Sequence, residues 1–88
     1  MNIENTINNA ANILKKNNVV NPYLDIEILL SVSINKDKKY IILNKKKKLN
    51  KNDLDNFNEL IERRRKGEPV AYIINKKEFW KNEFYISK

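Results

Sequence analysis

The side chains that could most readily take part in catalysis are two carboxylates close together in the chain, Asp25 and Glu27. On a helix, residues two positions apart point about 200° away from each other. We therefore expect Asp25 and Glu27 to cap a helix and to face solvent, and not to act as a catalytic acid–base pair. The chain has no histidine and no cysteine, so it lacks the usual general base, a thiol nucleophile and a Cys/His zinc site. The sequence predicts no catalytic and no metal-binding residue.

A second group of interest is a run of cations, Arg63-Arg64-Arg65-Lys66, that ends at Gly67. One interpretation is structural, because cations at the C-terminal end of a helix bond its last carbonyls and favour its dipole. Surface ion pairs such as Glu59 with Arg63, one turn away, fit the same interpretation. The other interpretation is that the run faces a partner. The partner-binding candidates are Arg63, Arg64, Arg65, Lys66, Tyr72 and Trp80, although a small fold also tends to bury a tryptophan.

The net charge of +7 is concentrated in residues 36–51, which begin with Lys36, end with Lys51 and hold eight lysines but one acid, Asp37. The other residues carry no net charge, because they hold ten basic and ten acidic groups. This segment fits an independent basic module that binds RNA or DNA. It also fits a solvated surface in a protein from an A/T-rich genome, since Asn, Lys and Ile are all abundant. Tyr40 is its one candidate for stacking on a base.

Length and composition indicate one small domain without a membrane span. Eighty-eight residues leave no room for a second core, and 41% hydrophobic residues suffice for one packed core. The N-terminus carries Asn and Glu where a signal peptide would be basic and then apolar. No apolar run is long enough to cross a bilayer. We expect a cytoplasmic protein.

Hydrophobic periodicity predicts a mainly α fold, a small bundle of four to five helices. The predicted helices cover residues 3–16, 22–34, 37–43, 51–66 and 69–74. The second contains the sequence YLDIEILLSVSI, which is apolar on nearly every side and is typical of a helix in the middle of a bundle.

Local signals predict where these helices begin and end. We expect Asn21 to cap the second helix through its side-chain oxygen, with Pro22 at the first helical position. Asp37 and Asn50 are expected to cap the third and fourth helices. Gly67 is the only glycine in the chain, and it is expected to end the fourth helix in the left-handed conformation.

After Asn75 the sequence alternates with a period of two, which predicts a β-hairpin over residues 76–88 with Lys81-Asn82 at its turn. A two-stranded hairpin is marginally stable by itself in water. We therefore expect it to pack on the helices or on a part of the protein outside this chain, which indicates that the chain is a piece.

Two stretches resemble a known family, in its order and at its spacing. The first is RRRKGEPVAYII at residues 63–74, followed by EFW at 78–80 and IS at 86–87; the second is YLDIEILL at residues 23–30. They resemble the release factor glutamine methyltransferases, also called the HemK family. The chain departs from the family pattern at Asn75, where glycine is usual, and at Ile26, where alanine is usual. The lysine run at residues 45–48 is also unusual for the family.

The resemblance implies an N-terminal helical domain that leads through the hairpin into a Rossmann-like methyltransferase domain binding S-adenosylmethionine. It implies methyl transfer to the side-chain amide nitrogen of the glutamine in the Gly-Gly-Gln motif of class 1 peptide chain release factors. The family's Asn-Pro-Pro-Tyr motif and glycine-rich cofactor loop do not occur in this sequence. We therefore expect the chain to recognise the release factor and to contact its own methyltransferase domain. By itself it is expected to be inactive, to hold no cofactor, and to bind nucleic acid at most weakly and in a salt-sensitive way.

Overall fold

Five α-helices make up residues 1–76, the part of the chain that the computed structural model describes. They are α1 (Ile3–Lys16), α2 (Pro22–Ile34), α3 (Lys38–Leu43), α4 (Lys51–Arg65) and α5 (Val70–Lys76). Within residues 1–76 there is no β-strand, only an isolated bridge between Asn2 and Lys48. The predicted helical bundle is confirmed, with bounds that shift by one or two residues. The predicted hairpin lies outside the described residues, except that Lys76 belongs to α5. None of the helices within residues 1–76 is long and apolar enough to cross a membrane.

The core is arranged around α2, which packs against each of the other four helices. Its central position is the one that its apolar sequence predicts. The buried apolar side chains come from all five helices and are Ile3, Ala10, Ala11, Leu14, Ile26, Leu29, Leu30, Val32, Ile41, Phe57, Leu60, Ile61 and Ile73.

The burial of α2 is nevertheless incomplete. Tyr23 and Leu24, in its first turn, are 48% and 52% exposed, and Ile28 and Ser31 are only partly buried. Within the described residues, the four neighbouring helices therefore cover most of α2 and leave one largely apolar face exposed.

Three of the helices within residues 1–76 begin with a side-chain cap. The side-chain oxygens of Asn2, Asp37 and Asn50 accept hydrogen bonds from the backbone N–H three residues later, at 2.8, 2.9 and 2.7 Å. The backbones of these residues are extended, with ψ between 166° and 175°. The cap predicted at Asn21 is wrong: its ψ of 71° lies outside that extended region, and its side chain makes no capping bond. Pro22 does occupy the start of α2, as predicted.

Residues 44–50, which connect α3 to α4, are attached to the start of α1; we call them the lysine loop. The N–H groups of Ile3 and Glu4 donate to the carbonyls of Lys47 and Lys45, both at 2.9 Å. First-turn N–H groups have no partner inside their own helix. These bonds therefore give a partner both to the N–H groups of α1 and to the carbonyls of the loop. The lysine side chains are exposed, as predicted, but their backbone is held in place.

The turn after α4 is a Schellman motif. Gly67 has a φ of 105°, in the left-handed region that the sequence predicted for it. Its N–H donates to the carbonyl of Arg64 at 2.9 Å, and the N–H of Glu68 donates to that of Arg63 at 3.2 Å. These two crossing bonds satisfy carbonyls at the end of the helix and turn the chain sharply towards α5.

Gly67→Ala is expected to lower the free energy of unfolding by about 1–2 kcal/mol, because a side chain makes positive φ unfavourable. A Cβ at this position would meet no atom within 4 Å, so the cost comes from the backbone and not from a clash. Lys66→Ala is the matched control, since Lys66 has a φ of −78°. Urea unfolding followed by far-UV circular dichroism measures both variants. A Gly67→Ala protein as stable as the wild type would show that the turn does not need positive φ.

Candidate functional site

Five of the six predicted partner-binding residues lie where α4 turns into α5, and we call residues 63–72 the α4–α5 junction. Arg63, Arg64 and Arg65 form the last turn of α4. Lys66 follows them, and Tyr72 lies in α5. The sixth candidate, Trp80, lies outside the described residues.

Arg63 forms a bidentate ion pair with Glu68. Its Nε and Nη2 donate to the two carboxylate oxygens of Glu68, both at 2.8 Å, and both side chains are about one quarter exposed. The hydrogen bond to Glu68 raises the pKa of Arg63 against the opposing effect of burial. Glu59, the partner expected from the sequence, adds a charge interaction that raises the same pKa, but the paired carboxylate is that of Glu68.

Arg64 links three parts of the fold. Its Nε donates to the Oδ2 of Asp25 in the first turn of α2 at 2.9 Å, and its Nη1 donates to the backbone carbonyl of Glu68 at 3.1 Å. The Arg64 and Asp25 side chains are only 22% and 14% exposed. Asp25 therefore anchors α4 to α2, where the sequence predicted a capping or solvent-facing role. With Arg63 on its carboxylate and Arg64 on its carbonyl, Glu68 is fixed just before α5 begins.

The remaining candidates present accessible surface. Arg65 donates to the carboxylate of Glu62 one turn earlier, and this bond raises the pKa of Arg65 and lowers that of Glu62. Lys66 is exposed, and Tyr72 is 49% exposed. The junction thus brings the predicted residues together but divides them into two groups: Arg63 and Arg64 hold the fold, whereas Arg65, Lys66 and Tyr72 can reach a partner. Their role in binding a partner stays a prediction.

The two carboxylates that are close together in the sequence, Asp25 and Glu27, make separate ion pairs. Asp25 bonds Arg64, whereas Glu27 forms an ion pair with Lys38 at 3.3 Å, so the two carboxylates serve different contacts. Among residues 1–76, no cluster of three or more acidic side chains could hold a metal ion. What the junction offers is a fixed direction for α5 and the accessible side chains of Arg65, Lys66 and Tyr72.

A groove of about 400 Å³ along α2 is a concave surface that the sequence reasoning missed. It is lined by Leu24, Ile28 and Val32, which share one face of α2, and by Lys36 and Lys38 where the chain turns into α3. The sequence of α2 could have indicated this groove. A helix that is apolar on nearly every side needs more neighbours than four helices of this size provide.

Comparison with known proteins agrees with the family resemblance seen in the sequence. The model of the PrmC N-terminal domain family matches residues 5–74. The chain is 38% identical over 86 residues to a bifunctional methyltransferase of Rickettsia bellii, covering 98% of the chain and 16% of that protein. It is 41% identical over 87 residues to a release factor glutamine methyltransferase of Buchnera aphidicola subsp. Baizongia pistaciae, covering 99% of the chain and 31% of that protein. No solved structure is significantly similar. The chain thus spans less than a third of the length of these relatives.

Asp25→Asn is expected to lower the free energy of unfolding by about 1–3 kcal/mol, because it leaves the partly buried Arg64 without its counter-charge. Asp55→Asn is the matched control: it breaks the exposed ion pair between Lys51 and Asp55 and should cost less than about 1 kcal/mol. Chemical denaturation of the two variants under the same conditions gives the comparison. Equal losses would contradict a structural role for the Asp25–Arg64 pair.

Proposed function

The chain belongs to the PrmC N-terminal domain family, and on this basis we propose that it is the substrate-recognition domain of a release factor glutamine methyltransferase. The observation that carries the proposal is the family match over residues 5–74, together with relatives that bear this enzyme name. The whole enzyme would transfer a methyl group from S-adenosylmethionine to the side-chain amide nitrogen of the glutamine in the Gly-Gly-Gln motif of a class 1 release factor. The cytoplasm is the proposed location.

The described residues do not fit S-adenosylmethionine. A nucleotide-type cofactor in such folds lies on a glycine-rich loop between a strand and a helix, and within residues 1–76 there is no strand. The single glycine of the chain, Gly67, ends a helix instead. We therefore assign no step of methyl transfer to this chain and place the cofactor in the remainder of the parent enzyme. By itself the 88-residue chain is proposed to be inactive.

The α4–α5 junction supports two roles within this proposal. Arg65, Lys66 and Tyr72 are accessible and supply charge, hydrogen-bond donors and an aromatic face to the release factor. Arg63 and Arg64 act through Glu68 to fix the direction in which α5 leaves the bundle. This direction would set the bundle against the methyltransferase domain, the second proposed partner.

The test is calorimetric titration of the 88-residue chain with a class 1 release factor. We expect measurable binding that Tyr72→Ala weakens about tenfold, which corresponds to about 1.4 kcal/mol. Tyr23→Ala is the matched control, because Tyr23 is 48% exposed and Tyr72 is 49% exposed. S-adenosylmethionine titrated into the same chain should give no heat.

The possible failures are distinguishable. If the wild-type chain does not bind the release factor, or if it binds S-adenosylmethionine, the proposed recognition role is wrong. If the release factor binds and the two tyrosine variants behave alike, the recognition role stands and the α4–α5 junction is not the surface that provides it.

A further inference from the structure

The end of the bundle opposite the α4–α5 junction carries a concentrated positive charge. Both long helices start there: α1 begins next to the lysine loop, and α4 begins directly after it. The helices are 14 and 15 residues long, so their far ends lie about 20 Å away at 1.5 Å per residue. Charges at the two ends are therefore separated by more than the Debye length of about 8 Å at physiological ionic strength.

The two ends differ in how their cations are neutralised. At the α4–α5 junction, each of the three arginines is paired with a carboxylate. In the lysine loop, Lys46 pairs with Glu4 at 3.0 Å, and Lys45 is close enough to lower the pKa of the same carboxyl further. Lys45, Lys47 and Lys48 form no ion pair with any residue in 1–76. The lysine loop thus holds several positive charges against one carboxylate.

The backbone under these lysines is held by the fold. The carbonyls of Lys45 and Lys47 accept bonds from the first turn of α1, and the N–H of Lys47 donates to the carbonyl of Asn44 at 2.9 Å. The bridge between Asn2 and Lys48 continues this attachment. Four successive lysines repel one another, and here the fold keeps them together. A polyanion would relieve that repulsion without any rearrangement of the backbone.

We propose that the lysine loop is a binding surface for the phosphate backbone of a nucleic acid, without sequence preference. Lysine–phosphate contacts supply this kind of sequence-independent affinity. Protein–protein interfaces, in contrast, are depleted in lysine and depend on apolar or aromatic anchors. The one apolar side chain of the lysine loop, Leu49, is partly buried and packs against the core, and the exposed Ile42 and Leu43 belong to α3.

Base recognition is not part of this site. The nearest aromatic residue in the basic segment, Tyr40, is partly buried and has the Lys36 ammonium 5.2 Å from its ring centre. It is therefore a poor platform for base stacking. The side-chain amides of Asn44 and Asn50 make hydrogen bonds within the fold, to the Tyr40 carbonyl and the Asp53 N–H, so RNA and DNA oligomers should bind alike.

The experiment is fluorescence anisotropy of labelled oligouridylate and oligothymidylate, titrated with the 88-residue chain at several salt concentrations. Three or four phosphate contacts predict a slope of log affinity against log salt of about −2 to −3. The triple variant Lys45→Gln, Lys47→Gln, Lys48→Gln should weaken binding at low salt by at least about tenfold and bring the slope towards zero. Each single variant should reduce the slope by about 0.7.

The matched control is the triple variant Lys15→Gln, Lys16→Gln, Lys66→Gln, which removes the same charge from the opposite end of α1 and α4 and should change affinity by less than about twofold. Equal losses in the two triple variants would overturn the proposal, because net charge alone would then explain the binding. Labelled polyglutamate is the second comparison. If it binds as tightly as the oligonucleotides and with the same dependence on Lys45, Lys47 and Lys48, the lysine loop takes an acidic protein, and the proposal is wrong.

Discussion

The second helix, α2, has almost no polar face, so most of its surface must be removed from water by neighbouring helices. The three side chains at its centre, Ile26, Leu29 and Leu30, are fully buried, and each contributes about 1.5–3 kcal/mol by leaving water. The long helices α1 and α4 supply amphipathic faces to this contact. The short helices α3 and α5 have six and seven residues, too few to be stable alone. Their existence therefore depends on packing, for which α2 provides the shared surface.

The polar contacts complete this arrangement at the two ends of the bundle, and they do so in different ways. At the α4–α5 junction, Asp25 and Glu68 neutralise arginines, so the positive charge there mainly joins elements together. At the lysine loop, backbone bonds to α1 and the Lys46–Glu4 ion pair do the joining, and the other lysine side chains are left at the surface. The charges of Arg63 and Arg64 are thus used for structure at one end, whereas most of the charge of the lysine loop is available to a partner at the other. This division separates the proposed release-factor contact from the proposed nucleic-acid contact.

Features with a local cause could be predicted from the sequence. The amphipathic period of α1 and α4, the caps at Asp37 and Asn50, and the positive φ of Gly67 all depend on residues within one turn of each other, so the sequence shows them directly. The resemblance at residues 63–74 also led to the correct family. The cap expected at Asn21 failed because its backbone, with a ψ of 71°, departs from the extended conformation of a capping residue, and residue type alone does not reveal that conformation.

Features that depend on tertiary packing could not be predicted. The Asp25–Arg64 pair joins residues 39 positions apart, and no local pattern distinguishes it from the Glu59–Arg63 pair that helical spacing favours. The attachment of the lysine loop to α1 uses backbone groups, which carry no signature of residue type. The groove on α2 results from the number of helices available to cover it. In each case the deciding fact is which elements lie next to each other.

Native-state hydrogen exchange of the 88-residue chain tests the central position of α2 most directly. If the fold depends on α2, the amides of Leu29 and Leu30 should exchange slowest, with a free energy equal to that of global unfolding. The amides of α3 and α5 should exchange faster, through local opening that leaves α2 and its contacts with α1 and α4 intact. Exchange of the α2 amides as fast as those of α3 or α5, while α1 and α4 stay protected, would contradict this account.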